Sequence, residues 1–181
     1  MIRITYFTHG TSIHNEKGLA AGWLPSELSQ IGINQSIELG KIVSEFKFNA
    51  VFCSDLKRAI DTAKHAFKDK YQIIPDRRLR EINFGEFTNK PIKSFRSEMI
   101  KYIQEPFPNG ESYLDVEKRI KNLLSFFKHE YSGKNLGIIA HQAPQLAIEV
   151  LLKGKTWQRA ILEDWRINGN WQPGWEYFIK D

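Results

Sequence analysis

Apolar strand-like segments that alternate with amphipathic helices constrain the fold of this chain more than any other feature. Residues 2–7 are rich in β-branched and aromatic side chains, which is typical of a strand buried on both faces. Ala50–Cys53 and residues 136–140 have the same character, and residues 72–75 predict a shorter strand. A further short strand is expected after a turn over residues 171–175. Such strands favour a mostly parallel central sheet.

The segments between these strands have helical periodicity. In residues 56–67 the apolar side chains recur at helical spacing on one stripe, and the same holds after Gly110. These two stripes comprise Leu56, Ala59, Ile60, Ala63 and Phe67, and Tyr113, Val116, Ile120, Leu123, Leu124 and Phe127. Further helices are predicted from an N-cap at Ser29 to about residue 46, over 144–152 and over 156–165. The expected fold is therefore an α/β, three-layer α/β/α sandwich with a mostly parallel central sheet.

A length of 181 residues predicts one domain over 1–181, without internal repeats or linkers. The stretch 77–109 contains Gly85, Pro91, Pro106 and Pro108, and it predicts irregular structure with one helix around residues 93–103. We interpret residues 86–109 as a lid or cap over a site.

Charge and hydropathy limit the partners of the chain. The formal net charge of +5 favours an anionic ligand without naming one. The sequence lacks the basic patches interleaved with aromatic residues that are typical of nucleic-acid-binding proteins. It also has no apolar run long enough for a membrane span. The first residues lack the pattern of a signal peptide, and the lone Cys53 has apolar neighbours, so we expect a cytoplasmic protein with Cys53 in its core.

Reactive side chains follow three of the predicted strands. The first strand ends at His9, the second is followed by Ser54 to Arg58 at a helix start, and the late strand ends at His141. Ligands of parallel sheets bind beyond the carboxyl ends of the strands, so these side chains are expected to converge. Two imidazoles and a guanidinium near helix N-termini suit a tetrahedral anion such as a phosphoryl group.

The motifs around these residues, taken together, resemble those of the histidine phosphatase superfamily in its phosphoglycerate-mutase-like branch. The matching blocks occur in the family's order over residues 2 to about 152. They are Thr8-His9-Gly10-Thr11-Ser12-Ile13-His14-Asn15, Leu28-Ser29-Gln30-Ile31-Gly32-Ile33-Asn34-Gln35, Ser54-Asp55-Leu56-Lys57-Arg58-Ala59-Ile60-Asp61-Thr62-Ala63, Leu79-Arg80-Glu81-Ile82-Asn83-Phe84-Gly85, Gly110-Glu111-Ser112 and Ala140-His141.

The resemblance implies hydrolysis of a small phosphorylated metabolite through a phosphohistidine on His9, without metal or other cofactor. Glu81 is the expected general acid and base, because the position after His141, which holds an aspartate in some members, is Gln142. The chain is short for a mutase insert after the acid block, so a phosphatase is favoured over a phosphoglycerate-mutase-type transferase.

The remaining expected contacts are to the phosphoryl oxygens. Arg58, His141 and Asn15 would bind them, and Thr11 or Ser12 would add a hydroxyl donor. Thr8 and Gln142, beside the two histidines, complete the expected phosphate-binding residues. Both depart from the resemblance: Thr8 stands where an arginine is usual, and Gln142 stands where a glycine is usual. Lys17 or Lys90 could supply the missing cation, and Gln142 could contact a polar group of the substrate.

The sequence also allows other interpretations of the function. Because Thr8 stands where an arginine is usual, a phospholigand-binding or regulatory protein with little turnover is one alternative. A metallohydrolase that uses His9, His14 and Glu16 is a weaker alternative. We expect His14, His65 and His129 to be structural or surface residues. Trp157, Trp165, Trp171 and Trp175 are expected to pack the C-terminal segment rather than to stack on a nucleoside-like substrate. A homodimer is also left open.

Overall fold

A five-stranded sheet with the order β3-β2-β4-β1-β5 forms the centre of the molecule. The computed structural model describes residues 1–168, 172 and 174–180. The strands are β1 (Ile2–Thr8), β2 (Ala50–Cys53), β3 (Ile73–Pro75), β4 (Asn135–Ala140) and β5 (Trp175–Ile179). Strands β1 to β4 pair in parallel, whereas β5 pairs antiparallel with β1. The mostly parallel sheet predicted from the sequence is therefore confirmed.

Both faces of the sheet are buried, and alternate residues of the strands face different cores. One core contains Tyr6, Phe52 and Ile138, and the other contains Phe7 and Val51. This alternation follows from the two-residue period of a strand. Helices cover each face, which gives the predicted three layers.

The principal helices agree with the amphipathic patterns, although their ends differ. The helices are α1 (Ile13–Glu16), α2 (Gln30–Ile42), α3 (Lys57–Phe67), α4 (Tyr113–Glu130), α5 (Gln142–Lys153), α6 (Trp157–Leu162) and α7 (Trp165–Asn168). Ser29 is the N-cap of α2, as predicted, and its hydroxyl accepts a hydrogen bond from the amide of Gly32. Helix α2 ends at Ile42 and continues as a 3-10 turn over Val43–Glu45. None of the helices in the described part of the chain is long and apolar enough to cross a membrane.

The prediction of a single helix around residues 93–103 is wrong. The structure has three separate 3-10 turns there, over Ile92–Ser94, Arg96–Glu98 and Lys101–Ile103. Phe95 interrupts the run with φ −134° and ψ 6°, and its side chain is buried in the core. Tertiary packing of this aromatic residue outweighs a weak local preference for helix.

The helix expected over 156–165 is also interrupted, between α6 and α7. The buried Asp164 lies at the break, where its carboxylate accepts hydrogen bonds from the backbone amide and the guanidinium of Arg166. A side chain that bonds to the backbone two residues later competes with helix continuation. The turn predicted over 171–175 includes Trp171 and Pro173, which lie outside the described residues.

Candidate active site

The two histidines of the predicted site follow adjacent strands. Strands β1 and β4 are paired so that Thr8 lies opposite Ala140, and the amide of His9 donates to the carbonyl of Ala140 at 3.0 Å. The imidazole rings of His9 and His141 are therefore brought to a centroid distance of 4.9 Å. Parallel pairing of the two strands accounts for this proximity, as the sequence predicts.

The imidazole of His9 is held in one tautomer by its hydrogen-bond partners. Its Nδ1 lies 2.7 Å from the carbonyl oxygen of Gly10, and because a carbonyl only accepts, Nδ1 carries the proton. The lone pair is then on Nε2. Burial, together with the positive charge of Arg58, lowers the pKa of His9 to about 3. His9 is thus a neutral imidazole at physiological pH, which is the form that can act as a nucleophile.

The loop that carries His9 is pressed against helix α2. A Cβ on Gly10 would lie 2.4 Å from the carbonyl oxygen of Gly32, and a Cβ on Gly32 would lie 2.0 Å from that of Thr11. Such distances exclude any side chain at either glycine without movement of the backbone. The amide of Gly10 also donates to the hydroxyl of Thr62 on α3 at 3.0 Å. Two helices therefore fix the loop immediately after the histidine.

Arg58 is a buried cation beside His9. Its guanidinium donates to the carbonyls of Gly22 at 2.8 Å and Leu24 at 3.2 Å, and its Nε donates to Nε2 of His9 at 3.3 Å. Burial lowers the pKa of Arg58 to about 10, so it remains charged at neutral pH. The guanidinium therefore places a fixed positive charge next to the nitrogen of His9 that carries the lone pair.

His141 is buried, and both of its ring nitrogens lack a hydrogen-bond partner within the described residues. Its backbone is fixed instead, because the hydroxyl of Tyr6 donates to its carbonyl at 2.7 Å and accepts from its amide at 3.1 Å. Burial, followed by the charge of Arg58, holds its pKa well below the usual range. Buried polar atoms are nearly always paired in proteins, so this ring has the features of a group that binds a ligand.

Glu81 lies at the N-terminus of α5. Its carboxylate accepts from the backbone amides of Ile82 at 2.9 Å, Ala143 at 3.0 Å and Gln142 at 3.1 Å. The N-cap residue of α5, His141, makes no side-chain capping bond, so Glu81 satisfies amides that would otherwise be unpaired. This arrangement brings the carboxyl group into the cavity of the two histidines.

One cavity of about 520 Å³ contains nearly all the predicted site residues. They are Thr8, His9, Thr11, Asn15, Arg58, Glu81, His141 and Gln142. A second cavity of similar volume shares His9 with the first, but Arg58, Glu81 and His141 do not line it. The first cavity is therefore the candidate active site.

Ser12 is the predicted phosphate contact that the structure does not bring to the cavity. Its hydroxyl caps α1, accepting from the amide of Asn15 at 3.2 Å and donating to the Oδ1 of the same residue at 2.9 Å. The side chain is fully buried and does not line the cavity. Ser12 instead orients Asn15, and Thr11 is the hydroxyl residue that faces the site.

Arg166 is a cavity cation that the sequence reasoning missed. Its guanidinium is held by Asp164 at 2.8 Å and by Gln145 at 2.9 Å, and it lies 4.4 Å from the ring centroid of Trp165. Gln142 also donates to Asp164, so its amide is part of the same network. The residue follows the last motif of the resemblance, and no local sequence signal marks it. Its charge contributes to lowering the pKa of both His9 and His141.

The other cations and histidines considered from the sequence lie elsewhere. Lys17 and Lys90 do not line the cavity, and the ammonium of Lys90 lies 4.7 Å from the ring centroid of Phe87. His14 bonds to the hydroxyl of Ser26 at 2.8 Å. Across residues 1–168 and 174–180, no three His, Cys, Asp or Glu side chains are grouped so that they could hold a metal ion. The metallohydrolase alternative therefore has no ligand set in this part of the chain.

The described tryptophans of the C-terminal segment pack against protein groups. The indole of Trp157 is buried and donates to Glu117 at 2.6 Å. Trp165 and Trp175 stack on each other with ring centroids 5.0 Å apart, although Trp165 also lines the cavity. Trp171 lies outside the described residues.

The fold and the site together define an α/β protein with two neighbouring histidines at the carboxyl ends of adjacent parallel strands. The chain belongs to the histidine phosphatase superfamily, branch 1, whose family model matches residues 6–166. It is 32% identical over 164 residues to a Hydrogenobacter thermophilus protein named "Putative phosphoserine phosphatase 2", covering 85% of this chain and 80% of that one. It is 27% identical to the adenosylcobalamin/alpha-ribazole phosphatase of Escherichia coli, covering 78% and 74% of the two chains.

Solved structures show the same fold. The alpha-ribazole phosphatase of Shigella flexneri superposes with a TM-score of 0.77 at 25% identity, over 87% of this chain and 83% of that one. A phosphoglycerate mutase of Bacillus anthracis superposes with a TM-score of 0.75 at 22% identity, over 84% and 80%. The phosphoglycerate-mutase-like fold expected from the motifs is therefore confirmed.

Proposed function

We propose that this protein is a metal-independent phosphatase that hydrolyses a small phosphomonoester through a phosphohistidine intermediate on His9. One observation carries the proposal: a neutral imidazole with its lone pair on Nε2 lies in the same cavity as a buried guanidinium and a carboxyl group. The names of the relatives include phosphoserine, alpha-ribazole and phosphoglycerate enzymes, which agree on phosphate esters and differ in the alcohol.

In the first step, Nε2 of His9 attacks phosphorus and the bond from phosphorus to the ester oxygen breaks. The protonated carboxyl of Glu81 gives its proton to that oxygen, so that the product leaves as a neutral alcohol. The hydrogen bond from Nδ1 to Gly10 stabilises the positive charge that develops on the ring. The phosphoryl group remains on Nε2 as phosphohistidine.

In the second step, the carboxylate of Glu81 removes a proton from water while the oxygen of that water attacks phosphorus. The bond between phosphorus and Nε2 breaks, inorganic phosphate is released, and His9 returns to its neutral form. Glu81 is protonated again for the next cycle. The backbone amides that bond to its carboxyl group hold it in place for both transfers.

The charge of the transferring phosphoryl oxygens requires donors that are already in place. We assign this role to Arg58, to the unpaired ring of His141, to Asn15 and Thr11, and to the guanidinium of Arg166. An arginine has five N–H donors, and only two of those on Arg166 have partners among the described residues. Arg166 thus supplies the cation that the sequence reasoning sought from a lysine.

The main alternative is a phospholigand-binding protein with little turnover, which Thr8 favours because a threonine brings no charge to the position beside His9. A mutase-type transferase is a second alternative. Both share the phosphate site and differ in what happens after the phosphoryl group binds, so a turnover measurement separates them from a phosphatase.

The test is hydrolysis of para-nitrophenyl phosphate in EDTA by the wild type, by His9→Ala and by His129→Ala, which changes an exposed histidine outside the cavity. We expect EDTA and His129→Ala to leave activity unchanged and His9→Ala to lower it by more than about 10³-fold. Loss of activity in EDTA would contradict the histidine mechanism. Tight phosphate binding without turnover on a panel of phosphate esters would favour the binding protein.

A further inference from the structure

The lining of the active-site cavity divides into a polar part and an apolar part. The polar part comprises the groups already assigned to the phosphoryl oxygens and to proton transfer. Much of the remainder is hydrocarbon or aromatic, including the buried Phe84, Met99, Leu146 and Ile161. The part of a substrate that extends beyond its phosphoryl group must therefore contact apolar side chains.

The mouth of this cavity exposes large hydrophobic residues. Ile100 is 42% exposed, Leu162 is 62% exposed and Ile167 is 49% exposed, and all three line the cavity. They come from three separate places: the segment between two 3-10 turns, the end of α6, and α7. Single exposed apolar side chains are common on proteins, but a group of them around one cavity marks a ligand site.

The charges in the cavity do not fit a substrate whose alcohol portion carries an ammonium group. Among the described lining residues the acidic one is Glu81, whose carboxylate already accepts three backbone amides. A substrate ammonium would have no free anionic partner there, and its burial against apolar side chains would be costly. The cation outside the phosphoryl site is Arg96, whose side chain is exposed to solvent.

We propose that Ile100, Leu162 and Ile167 form a subsite for the alcohol portion of the substrate, and that the preferred substrates are phosphomonoesters of uncharged hydrocarbon or aromatic alcohols. This inference rests on the proposed phosphatase function, because it assigns the phosphoryl group to the histidines. Among the substrates of such a phosphatase, we expect an apolar ester to be preferred over O-phosphoserine or a phosphoglycerate.

Chain length of the alcohol tests the subsite without changing leaving-group chemistry. The substrates to be compared are ethyl phosphate, n-hexyl phosphate, 2-phenylethyl phosphate and O-phosphoserine. The binding probes are ethylphosphonate, n-hexylphosphonate and 6-phosphonohexanoate, whose carbon–phosphorus bonds are not cleaved. We expect hexyl and phenylethyl phosphate to exceed ethyl phosphate and O-phosphoserine at least about tenfold in kcat/KM. Hexylphosphonate should bind at least about tenfold more tightly than ethylphosphonate and more tightly than 6-phosphonohexanoate.

Matched variants test whether the preference for hexyl over ethyl esters comes from the proposed subsite. Leu162→Asn and Ile167→Asn change exposed positions, so the fold should be retained, and both should reduce the preference for hexyl over ethyl about fivefold or more. Ile31→Asn, at a residue 56% exposed on α2 and outside the cavity, is the control and should keep the preference. Thermal unfolding of each variant checks that it is folded.

The outcomes separate this inference from the proposed function. Turnover of all esters without a preference for hexyl, or tighter binding of 6-phosphonohexanoate than of hexylphosphonate, would overturn the subsite and leave the phosphatase standing. The protein could bind hexylphosphonate more tightly than ethylphosphonate, lose this preference in Leu162→Asn, and yet hydrolyse none of the esters. That result would support the subsite and contradict the phosphatase. A preference that is unchanged in both mouth variants would also overturn the subsite.

Discussion

At the scale of single residues, the site depends on charges that are already positioned before a ligand binds. Arg58 donates to two backbone carbonyls and approaches His9, whereas Arg166 is held by the carboxylate of Asp164 and the amide of Gln145. Both guanidiniums have N–H donors without a partner among the described residues. Such preorganisation lowers the cost of stabilising a charged transition state.

Arg166→Ala should therefore lower kcat/KM for a phosphate ester by about 10- to 100-fold, the value of one charge-assisted hydrogen bond. Arg166→Lys should retain part of the activity. Arg159→Ala is the matched control, because Arg159 is an exposed arginine that pairs with Glu163 and does not line the cavity. Steady-state kinetics and the affinity for inorganic phosphate measure the effect.

A second-site change distinguishes a phosphate contact from a structural role. Thr8 lines the same cavity, so Thr8→Arg in the Arg166→Ala background should restore part of the lost affinity for phosphate. A variant pair in which Thr8→Arg restores nothing, while Arg166→Ala lowers the melting temperature, would indicate that Arg166 acts only through its contacts with Asp164, Gln145 and Trp165.

At the scale of elements, the beginning of α5 is capped by the residue to which we assign proton transfer. Two backbone amides of its first turn, those of Gln142 and Ala143, are satisfied by Glu81, which comes from a loop distant in sequence. The group that we assign to proton transfer is thus also a cap of the helix that follows His141. Changes of charge and of hydrogen bonding at this position have separable effects.

Glu81→Gln keeps one of the two oxygen acceptors that bond to the amides and removes the transferable proton, whereas Glu81→Ala removes both oxygens and the proton. We expect both variants to lower kcat by about 10²- to 10⁴-fold. Glu81→Ala should also lower the free energy of unfolding, by about 1 to 2 kcal/mol as for other lost caps, and by more than Glu81→Gln does. Urea titration and steady-state kinetics measure the two effects. Equal stability losses in both variants would show that the amide contacts do not depend on the oxygen acceptor.

The sequence predicts some of these elements better than others, for physical reasons. The strands, α3 and α4 have strong periodicity, and His9, Arg58 and His141 converge because parallel strands end at one edge. The 3-10 turns after Pro91 and the placement of Arg166 could not be predicted in this way. They depend on contacts between residues far apart in sequence, such as that of Gln145 with Trp165 and Arg166.

At the scale of the whole molecule, burial of uncharged imidazole makes stability depend on pH. The pKa of His141 lies well below 6.5 in the folded protein, and an unfolded histidine has a pKa near 6.5. The unfolded state therefore binds more protons as the pH falls below 6.5. The stabilising contribution of neutral His141 is fully present above that pH and is lost as the pH decreases.

Between pH 7 and pH 5 this single group should reduce the free energy of unfolding by about 2 kcal/mol. His141→Asn has no group that titrates in this range, so its decrease over the same interval should be smaller by about that amount. Urea unfolding at the two pH values measures the difference. His65→Asn, on α3 and outside the cavity, is the control for replacing a histidine by asparagine. Equal decreases in the wild type and His141→Asn would contradict a buried neutral imidazole.

The position of β1 in the sheet has a consequence for how the protein is made. This strand carries His9, and both of its neighbours come from much later in the chain: Thr8 pairs with Ala140, and Ile2 pairs with Ile179. A nascent chain on the ribosome therefore exposes β1 until β4 and β5 have been synthesised. Such distant pairing slows folding, so β1 depends longest on protection from aggregation during synthesis.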